Sequence, residues 1–249
     1  MAYQNIYPNA YIVADALSHD GLSLINPSPL ANLDAGFDVY ATQAFNAPDG
    51  RALSVSWIGL PEVAYPSDSE GWAHCLSIIK ELHLQDGHLY QKPIKEVVEL
   101  RQDQTSFEGT LAQTPTTIAA QTDNCYELML DLPANSQGKL HLYSDPQRDH
   151  SLTIDFDTKN GMITLDRSRV SHVFAQEYGT TRTLAIEKYR SLSLQIFVDR
   201  SVCEIFVNDG QAVLTARVFP TENENGLFLE GHSGHFSGNI WRLRKMMND

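Results

Sequence analysis

The chain has 249 residues, with 18 basic against 31 acidic side chains and a formal net charge of −13 at neutral pH. Hydrophobic residues make up 42% of it, enough to build the core of one large domain or two modest ones. An excess of negative charge argues against nucleic acid and against anionic membrane as partners, because both carry negative charge themselves.

Cysteine usage and hydropathy indicate a cytoplasmic protein. The three cysteines, Cys75, Cys125 and Cys203, are odd in number and widely spaced, which argues against a disulfide framework and a zinc knuckle. Reduced, mostly buried thiols are the expectation. No apolar run is long enough to span a bilayer, and no charged-then-apolar leader opens the chain.

Residues 1–92 are predicted to form short strands separated by turns. Strands are expected over residues 37–45 and 52–60, and the turn Asn46-Ala-Pro-Asp-Gly50 joins them into a hairpin. A second hairpin is expected around Gln85-Asp86-Gly87. So few strands make an open sheet rather than a closed one, and its edges would have to be covered.

Residues 93–104 are predicted to be a linker that contains a helix. Pro93 suits the first position of a helix that would run to Arg101. The residues of this segment that share one helical stripe are Ile94, Val97, Val98 and Arg101.

Residues 105–249 are predicted to form a β-sandwich, because apolar and polar residues alternate with the period of a strand in many short segments. Lys159-Asn160-Gly161 and Asn208-Asp209-Gly210 are expected to be hairpin turns between such strands. The segments with strand periodicity are 140–143, 152–156, 162–165, 192–198, 202–207, 213–219 and 227–229. The whole chain is therefore predicted to be all-β.

A stretch that combines polar and aromatic side chains, residues 36–43 followed by 54–62, is the predicted ligand site. A polyhydroxylated ligand needs hydrogen-bonding groups beside an apolar ring face. The period of two places Asp38 and Tyr40 on one face of their strand and Gln43 on the other, unless a bulge intervenes. A half-solvated strand without a ligand is the alternative.

Trp57 and the acidic loop after it also have plainer interpretations. Trp57 lies between Val55 and Ile58, so a core tryptophan is the alternative to one that faces a ligand. The loop around Pro61 and Pro66 is expected to be solvated, and its polar residues are Glu62, Tyr65, Asp68 and Glu70.

No catalytic residue, metal or cofactor is predicted for this chain. Glycoside hydrolysis needs two carboxyl groups across a cleft, and spacing alone pairs none here. His232-Ser-Gly-His235 has no third metal ligand nearby in sequence. A Gly-x-Ser-x-Gly nucleophile turn and a phosphate-binding glycine loop are both absent from the sequence.

A series of motifs nevertheless runs through the chain in a recognisable order: Tyr3-Gln-Asn-Ile-Tyr-Pro8, Phe37-Asp-Val-Tyr-Ala-Thr-Gln43, Trp57-Ile-Gly-Leu-Pro-Glu62, Tyr65-Pro66, Gly71-Trp-Ala-His-Cys75, Asp86-Gly87, Leu89-Tyr-Gln-Lys-Pro93, Glu99-Leu-Arg101 and Val202-Cys-Glu-Ile-Phe-Val-Asn-Asp-Gly210. The series resembles the second half of the bacterial sucrose-6-phosphate hydrolases, which are intracellular β-fructofuranosidases (invertases) of glycoside hydrolase family 32. The last motif resembles the C-terminal sandwich of that family.

The resemblance implies a five-bladed β-propeller followed by a β-sandwich, with residues 1–92 as the last blade and part of the one before. The family is retaining, and its catalytic acids stand in Asn-Asp-Pro-Asn, Glu-Cys and Arg-Asp-Pro motifs. None of these occurs here: Arg148-Asp149 precedes His150, Cys203-Glu204 has the reverse order, and Asn248-Asp249 has no proline behind it.

The resemblance therefore implies the C-terminal part of an enzyme for sucrose or sucrose 6-phosphate, inactive by itself. Trp57 matches the tryptophan that lines the family's fructose pocket, and Asp38 and Tyr40 match a strand that approaches it. Open propeller edges predict self-association or pairing with a missing N-terminal half. The alternative is a lectin-like or interface module formed by residues 105–249.

Overall fold

The computed structural model describes residues 5–244, which form antiparallel sheets joined by short loops. Tyr3 of the first motif and Asn248-Asp249 lie outside the described residues. Within residues 5–244 the helical segments are short 3₁₀ helices: Pro66–Glu70, Lys95–Leu100 and Gln176–Tyr178. No helix in this part of the chain has the length and hydropathy needed to cross a membrane. The all-β prediction is confirmed.

The N-terminal part contains one five-stranded sheet and two small two-stranded ribbons. Its strands are β1 Ala10–Tyr11, β2 Ala16–Leu17, β3 Leu24–Ile25, β4 Ala31–Asn32, β5 Val39–Asn46, β6 Ala52–Ile58, β7 Cys75–Leu76, β8 Lys80–Gln85 and β9 His88–Pro93. The ribbons pair β1 with β4 and β2 with β3, and the larger sheet has the order β5-β6-β8-β9 with β7 also on β6.

Both predicted hairpins of this part are confirmed, since β5 pairs with β6 and β8 with β9, each antiparallel. The second turn places Asp86 and Gly87 at positive φ, which aspartate and glycine tolerate better than other residues. No sheet within residues 5–244 closes on itself, and the assignment of residues 1–92 to blades of a propeller remains a prediction.

The remaining strands form two six-stranded sheets around one core. They are β10 Arg101–Thr110, β11 Thr116–Ala119, β12 Cys125–Leu132, β13 Gln137–Ser144, β14 Leu152–Asp157, β15 Met162–Asp166, β16 Thr181–Ala185, β17 Leu192–Asp199, β18 Val202–Val207, β19 Ala212–Arg217, β20 Gly226–His232 and β21 His235–Leu243. The sheets have the orders β10-β21-β12-β17-β18-β19 and β11-β20-β13-β14-β15-β16.

Alternation along the strands builds this core. Leu128, Leu130 and Leu132 of β12 are buried, whereas Met129 between them is exposed. Ile154 of the opposite sheet belongs to the same buried cluster, so the two sheets share one apolar interior. The sandwich predicted from the strand period is therefore present.

The two predicted sandwich turns are also confirmed. Gly161 closes the β14–β15 hairpin at φ +74°, and Asn208, Asp209 and Gly210 between β18 and β19 all have positive φ. Asparagine, aspartate and glycine accept this region at low cost, which is why such tripeptides predict turns well.

The predicted linker helix differs from the structure. It is a 3₁₀ helix over Lys95–Leu100, and Arg101 already begins β10, which pairs with β21 of the sandwich. The cap position, Ile94, offers no side-chain hydrogen bond to start an α-helix. Val97 and Leu100 instead pack against a small buried cluster on the sandwich.

The chain just before β5 packs directly on β19 at the edge of the sandwich. Ala35 and Phe37 donate backbone hydrogen bonds to Val213 and Thr215 at 2.8 and 2.7 Å. A Cβ atom added to Gly36 would lie 2.1 Å from the Thr215 carbonyl oxygen, so only glycine fits between these backbones. The N-terminal sheet is therefore tied to the sandwich by main-chain bonds.

A buried ion pair ties the two parts together at a second place. Lys80 Nζ of β8 lies 2.8 Å from Glu204 Oε2 of β18, and both side chains are almost fully buried. The other carboxylate oxygen accepts a bond from the Ile78 backbone N–H at 2.7 Å. Both oxygens of the buried carboxylate are thus hydrogen-bonded, as burial of a charge requires.

Candidate substrate-facing site

Tyr40 and Trp57 lie directly opposite each other on β5 and β6, with ring centroids 6.3 Å apart. The pairing register shifts between Tyr40 and Gln43, and Ala41 takes φ +48° there. Strand β5 therefore contains a bulge, the case in which Gln43 need not lie on the opposite face from Tyr40. Gln43 is exposed. Trp57 is 37% exposed, and the alternative of a core tryptophan is wrong.

Two further rings extend this pair into what we call the aromatic wall: Tyr7, Tyr40, Trp57 and His74. The Tyr7 ring lies 5.1 Å from that of Tyr40, and the His74 ring lies 5.0 Å from that of Trp57. Tilted and edge-on contacts at such distances are favourable for aromatic pairs. The wall therefore holds its exposed indole in a set orientation.

Tyr7 also anchors the acidic loop. Its hydroxyl donates to Glu62 Oε1 at 2.5 Å, and this hydrogen bond to a carboxylate raises the pKa of Tyr7. Glu62 remains exposed, as predicted for the loop, yet it is held beside the wall. Tyr65 of the same loop contradicts the prediction of a solvated residue, because it is only 3% exposed.

The position of the His74 ring depends on the absence of a side chain at Gly59. Gly59 has φ +152°, and a Cβ atom there would lie 2.2 Å from the imidazole ring, so a side chain would displace His74. The Tyr65 ring contacts His74 edge-on at 5.3 Å. Burial lowers the pKa of His74, and the Arg217 charge lowers it further, which favours the neutral imidazole at neutral pH.

Asp38 takes a different place from the one predicted. It is 0% exposed, and its Oδ2 accepts from Arg167 Nη1 at 2.9 Å and from the Arg217 backbone N–H at 2.8 Å. Its Oδ1 accepts from the Tyr65 hydroxyl at 3.1 Å. Full burial leaves Asp38 no surface with which to touch a sugar, so the structure does not support direct contact.

Sequence reasoning missed the residues around Asp38 and part of the wall. Arg167 and Arg217 come from the sandwich, more than a hundred residues further along the chain. No local sequence pattern predicts that they contact Asp38. His74 and Tyr7 stand inside motifs that carry the family resemblance, which is the signal that could have identified them.

The arrangement places hydrogen-bonding groups beside exposed ring faces, which is what a polyhydroxylated ligand needs. The wall supplies ring faces and two phenols, and Glu62 supplies an exposed carboxylate. Asp38, another carboxylate nearby, is buried against Arg167 and cannot serve as a second acid. Within residues 5–244, no group of three or more histidine, cysteine, aspartate or glutamate residues is arranged to hold a metal.

Comparison with known proteins matches nearly the whole chain to one family. The profile described as "Glycosyl hydrolases family 32 N-terminal domain" matches residues 1–93, and "Glycosyl hydrolases family 32 C terminal" matches residues 96–242. The sucrose-6-phosphate hydrolases of Pediococcus pentosaceus and Streptococcus mutans are each 42% identical, over 98% and 97% of this chain and 48% of their own length.

A solved structure agrees with these relatives. The sucrose-6-phosphate hydrolase of Lactobacillus gasseri is 41% identical and superimposes with a TM-score of 0.91, over 98% of this chain and 49% of that one. The chain thus spans about half the length of the relatives it matches. Profiles for both domains, relatives of high identity and a shared fold agree, and the chain belongs to glycoside hydrolase family 32.

Proposed function

We propose that this chain is the C-terminal part of a retaining β-fructofuranosidase that hydrolyses sucrose or sucrose 6-phosphate. The observation that carries the proposal is that both family profiles match it while it spans about half of the sucrose-6-phosphate hydrolases. In this proposal residues 1–92 are the last propeller blade and part of the one before, and the sandwich follows the short linker.

The aromatic wall is the substrate-facing element of this proposal. Trp57 and Tyr40 line the fructose pocket and give it shape, ring-face contact and a phenolic hydrogen bond. Asp38 acts from behind them as a positioning residue, because it holds the Tyr65 hydroxyl, whose ring packs on His74 of the wall. No residue of this chain is assigned to bond cleavage.

The partner that completes the site is an N-terminal half with the remaining blades. Among the described residues, 14 of the 17 exposed large hydrophobic side chains lie between Ile6 and Val98, and only three lie in the sandwich. Apolar exposure of this kind marks a surface that another part covers. Among residues 5–244, strand β5 pairs only with β6, so it is also a sheet edge.

A self-standing lectin-like sandwich is the less favoured function. The sandwich edge at β19 is covered by residues 35–37, and Glu204 is buried against Lys80. A module cut at residue 105 would expose that edge and leave Glu204 without its cation.

The test is an assay for glucose release from sucrose, and for glucose 6-phosphate release from sucrose 6-phosphate. The pure chain should release neither, because the two carboxyl groups that the reaction needs are not paired in it. Co-expression with the N-terminal half of the Pediococcus pentosaceus enzyme should restore hydrolysis.

In the restored enzyme, Trp57→Ala should raise KM or lower kcat/KM by at least about tenfold, because a large aromatic contact is lost. Tyr189→Ala, an exposed ring on the sandwich, is the matched control and should change nothing. Hydrolysis by the chain alone would contradict its assignment as a non-catalytic part, and no hydrolysis by a soluble pair of halves would contradict the parent activity.

A further inference from the structure

A groove of about 760 Å³ lies between the 3₁₀ helix Pro66–Glu70 and several loops of the sandwich. Its volume falls within the range of about 300–1,000 Å³ that small-ligand sites occupy. None of the aromatic-wall residues lines it, so it is a different place from the substrate-facing site. Trp72 lines one side, and Thr221 and Asn225 line the sandwich side.

Trp72 presents a fixed ring to this groove. It is 43% exposed, and its indole Nε1 donates to Glu70 Oε2 at 3.1 Å. The guanidinium of fully buried Arg217 lies 5.2 Å from the ring centroid and donates to the Ala73 carbonyl at 2.8 Å. An exposed ring held by buried contacts loses little freedom on binding a ligand.

The sandwich side of the groove is also built in advance. The Arg200 backbone N–H donates to the Asn124 carbonyl at 2.6 Å, and Asn124 Nδ2 donates to the Glu224 carbonyl at 3.0 Å. The Thr122 backbone N–H donates to the Asn225 carbonyl at 2.8 Å. These bonds join loops from three parts of the sandwich into one wall.

Polar side chains line the groove beside the Trp72 ring, among them Thr221 and Asn225. The Ser67 hydroxyl lines the groove, is buried and makes no hydrogen bond. Hydroxyl and amide groups beside a ring face are what a sugar requires.

We propose that this groove is a second carbohydrate site, which takes a neutral di- or trisaccharide with one ring on Trp72. Negative charge on the ligand is disfavoured because three carboxylates line the groove, from Glu70, Asp123 and Glu222, against the single guanidinium of Arg200. The choice of a sugar over other hydroxylated ligands rests on the proposed function.

The experiment measures sugar binding to the whole chain by calorimetry, with sucrose and raffinose as neutral probes, sucrose 6-phosphate as the charged probe and spermidine as a cationic one. Both neutral sugars should bind, raffinose more tightly, with weaker binding of the phosphorylated sugar. No saturable sugar binding, or tighter binding of sucrose 6-phosphate or spermidine than of raffinose, would overturn the proposal.

Variants place the binding in the groove. Trp72→Ala should weaken raffinose binding at least about tenfold, and Trp72→Phe less, because a ring remains. Tyr189→Ala, on the sandwich and outside both the groove and the aromatic wall, should change nothing, with folding checked by circular dichroism for every variant.

Loss of raffinose binding in Trp57→Phe together with unchanged binding in Trp72→Ala would overturn the proposal, since the sugar would then sit on the aromatic wall. Binding is measured here without catalysis. A groove that fails to bind sugar leaves the hydrolysis proposal standing, and two halves that fail to hydrolyse sucrose leave the measured binding in place.

Discussion

Asp38 and Arg167 form a buried ion pair that joins the strand of the aromatic wall to the sandwich. Their side chains are 0% and 3% exposed, and the guanidinium also lies 4.0 Å from the centre of the Phe37 ring. A buried charge is stable only with a partner, so each residue depends on the other. The aromatic wall depends on both, because Tyr65 donates to the same carboxylate.

Arg167→Met should lower the free energy of unfolding by about 3–5 kcal/mol, since it leaves the Asp38 carboxylate buried without its cation. The double variant Asp38→Asn/Arg167→Met should recover part of that loss. Urea unfolding of the wild type, Arg167→Met, Asp38→Asn and the double variant gives the interaction free energy between the two side chains. Arg190→Met, in an exposed pair with Glu187, is the control and should have little effect. An unchanged Arg167→Met midpoint would refute the role of the pair.

Asp34 should make stability depend on pH in the opposite sense from an ordinary ion pair. Burial raises the pKa of Asp34 to about 6, although the Lys80 charge and donors from Thr215 and Gly36 oppose the rise. A carboxyl with a higher pKa in the folded chain contributes stability that is fully present below its unfolded pKa and is lost as the pH rises through about 6.

The measurement compares wild type with Asp34→Asn by urea unfolding across that pH range. The free energy of the wild type relative to the variant should fall by about 3 kcal/mol as the pH rises. Asp20→Asn is the control of opposite sign, because a hydrogen bond from Ser18 lowers the pKa of Asp20 and its stabilisation is lost as the pH falls. A difference between wild type and Asp34→Asn that is flat or rises with pH would show that Asp34 is charged throughout.

At the scale of elements, the contact between residues 35–37 and β19 is what places the N-terminal sheet on the sandwich. Backbone hydrogen bonds flank Gly36 on both sides, and its Cα sits against the Thr215 backbone. Two backbones in such close contact cannot move apart to accept an added side-chain atom, because protein interiors are packed as densely as organic crystals.

Gly36→Ala should therefore cost about 3 kcal/mol or more, since the added Cβ meets backbone atoms that cannot move aside as a side chain can. Gly50→Ala is the matched control. Gly50 has φ +89° but nothing within 4 Å of an added Cβ, so only the backbone conformation is penalised, by about 1 kcal/mol. Thermal and urea unfolding compare the two, and equal losses would contradict the close packing.

At the scale of the whole molecule, apolar exposure is divided unevenly between the two parts. The ribbon of β2 and β3 exposes Leu17 to 65% and Leu24 to 42%, and the loop between them exposes Leu22 to 86%. The sandwich exposes far less apolar surface. Exposed apolar surface of this kind is typical of a protein interface, which supports the proposal that a partner covers the N-terminal part.

Without that partner the chain should self-associate, with a mean mass that rises with concentration in sedimentation velocity. The variant Leu17→Lys/Leu24→Lys should shift the equilibrium toward monomer, because it charges the exposed ribbon. Met162→Lys places a charge on an exposed residue of the sandwich and should leave association unchanged. A wild-type chain that stays monomeric at high concentration, or an effect of Met162→Lys alone, would contradict this assignment of the surface.

Local patterns alone determined the all-β class, both N-terminal hairpins and the two sandwich turns. Strand alternation and turn tripeptides such as Asn208-Asp209-Gly210 act over a few residues, so the strands and turns they favour do not depend on distant parts of the chain. The motif series around Trp57 likewise determined the family, since it can be read without coordinates.

The role of Asp38, the short 3₁₀ linker and the groove beside Trp72 were decided only by the tertiary structure. Arg167 is 129 residues and the Arg217 backbone 179 residues from Asp38 in the chain, yet both bond to its carboxylate. A side chain's exposure and charge partners are set by whatever the fold brings beside it. Here the sandwich covered Asp38 completely and left Trp57 in contact with solvent.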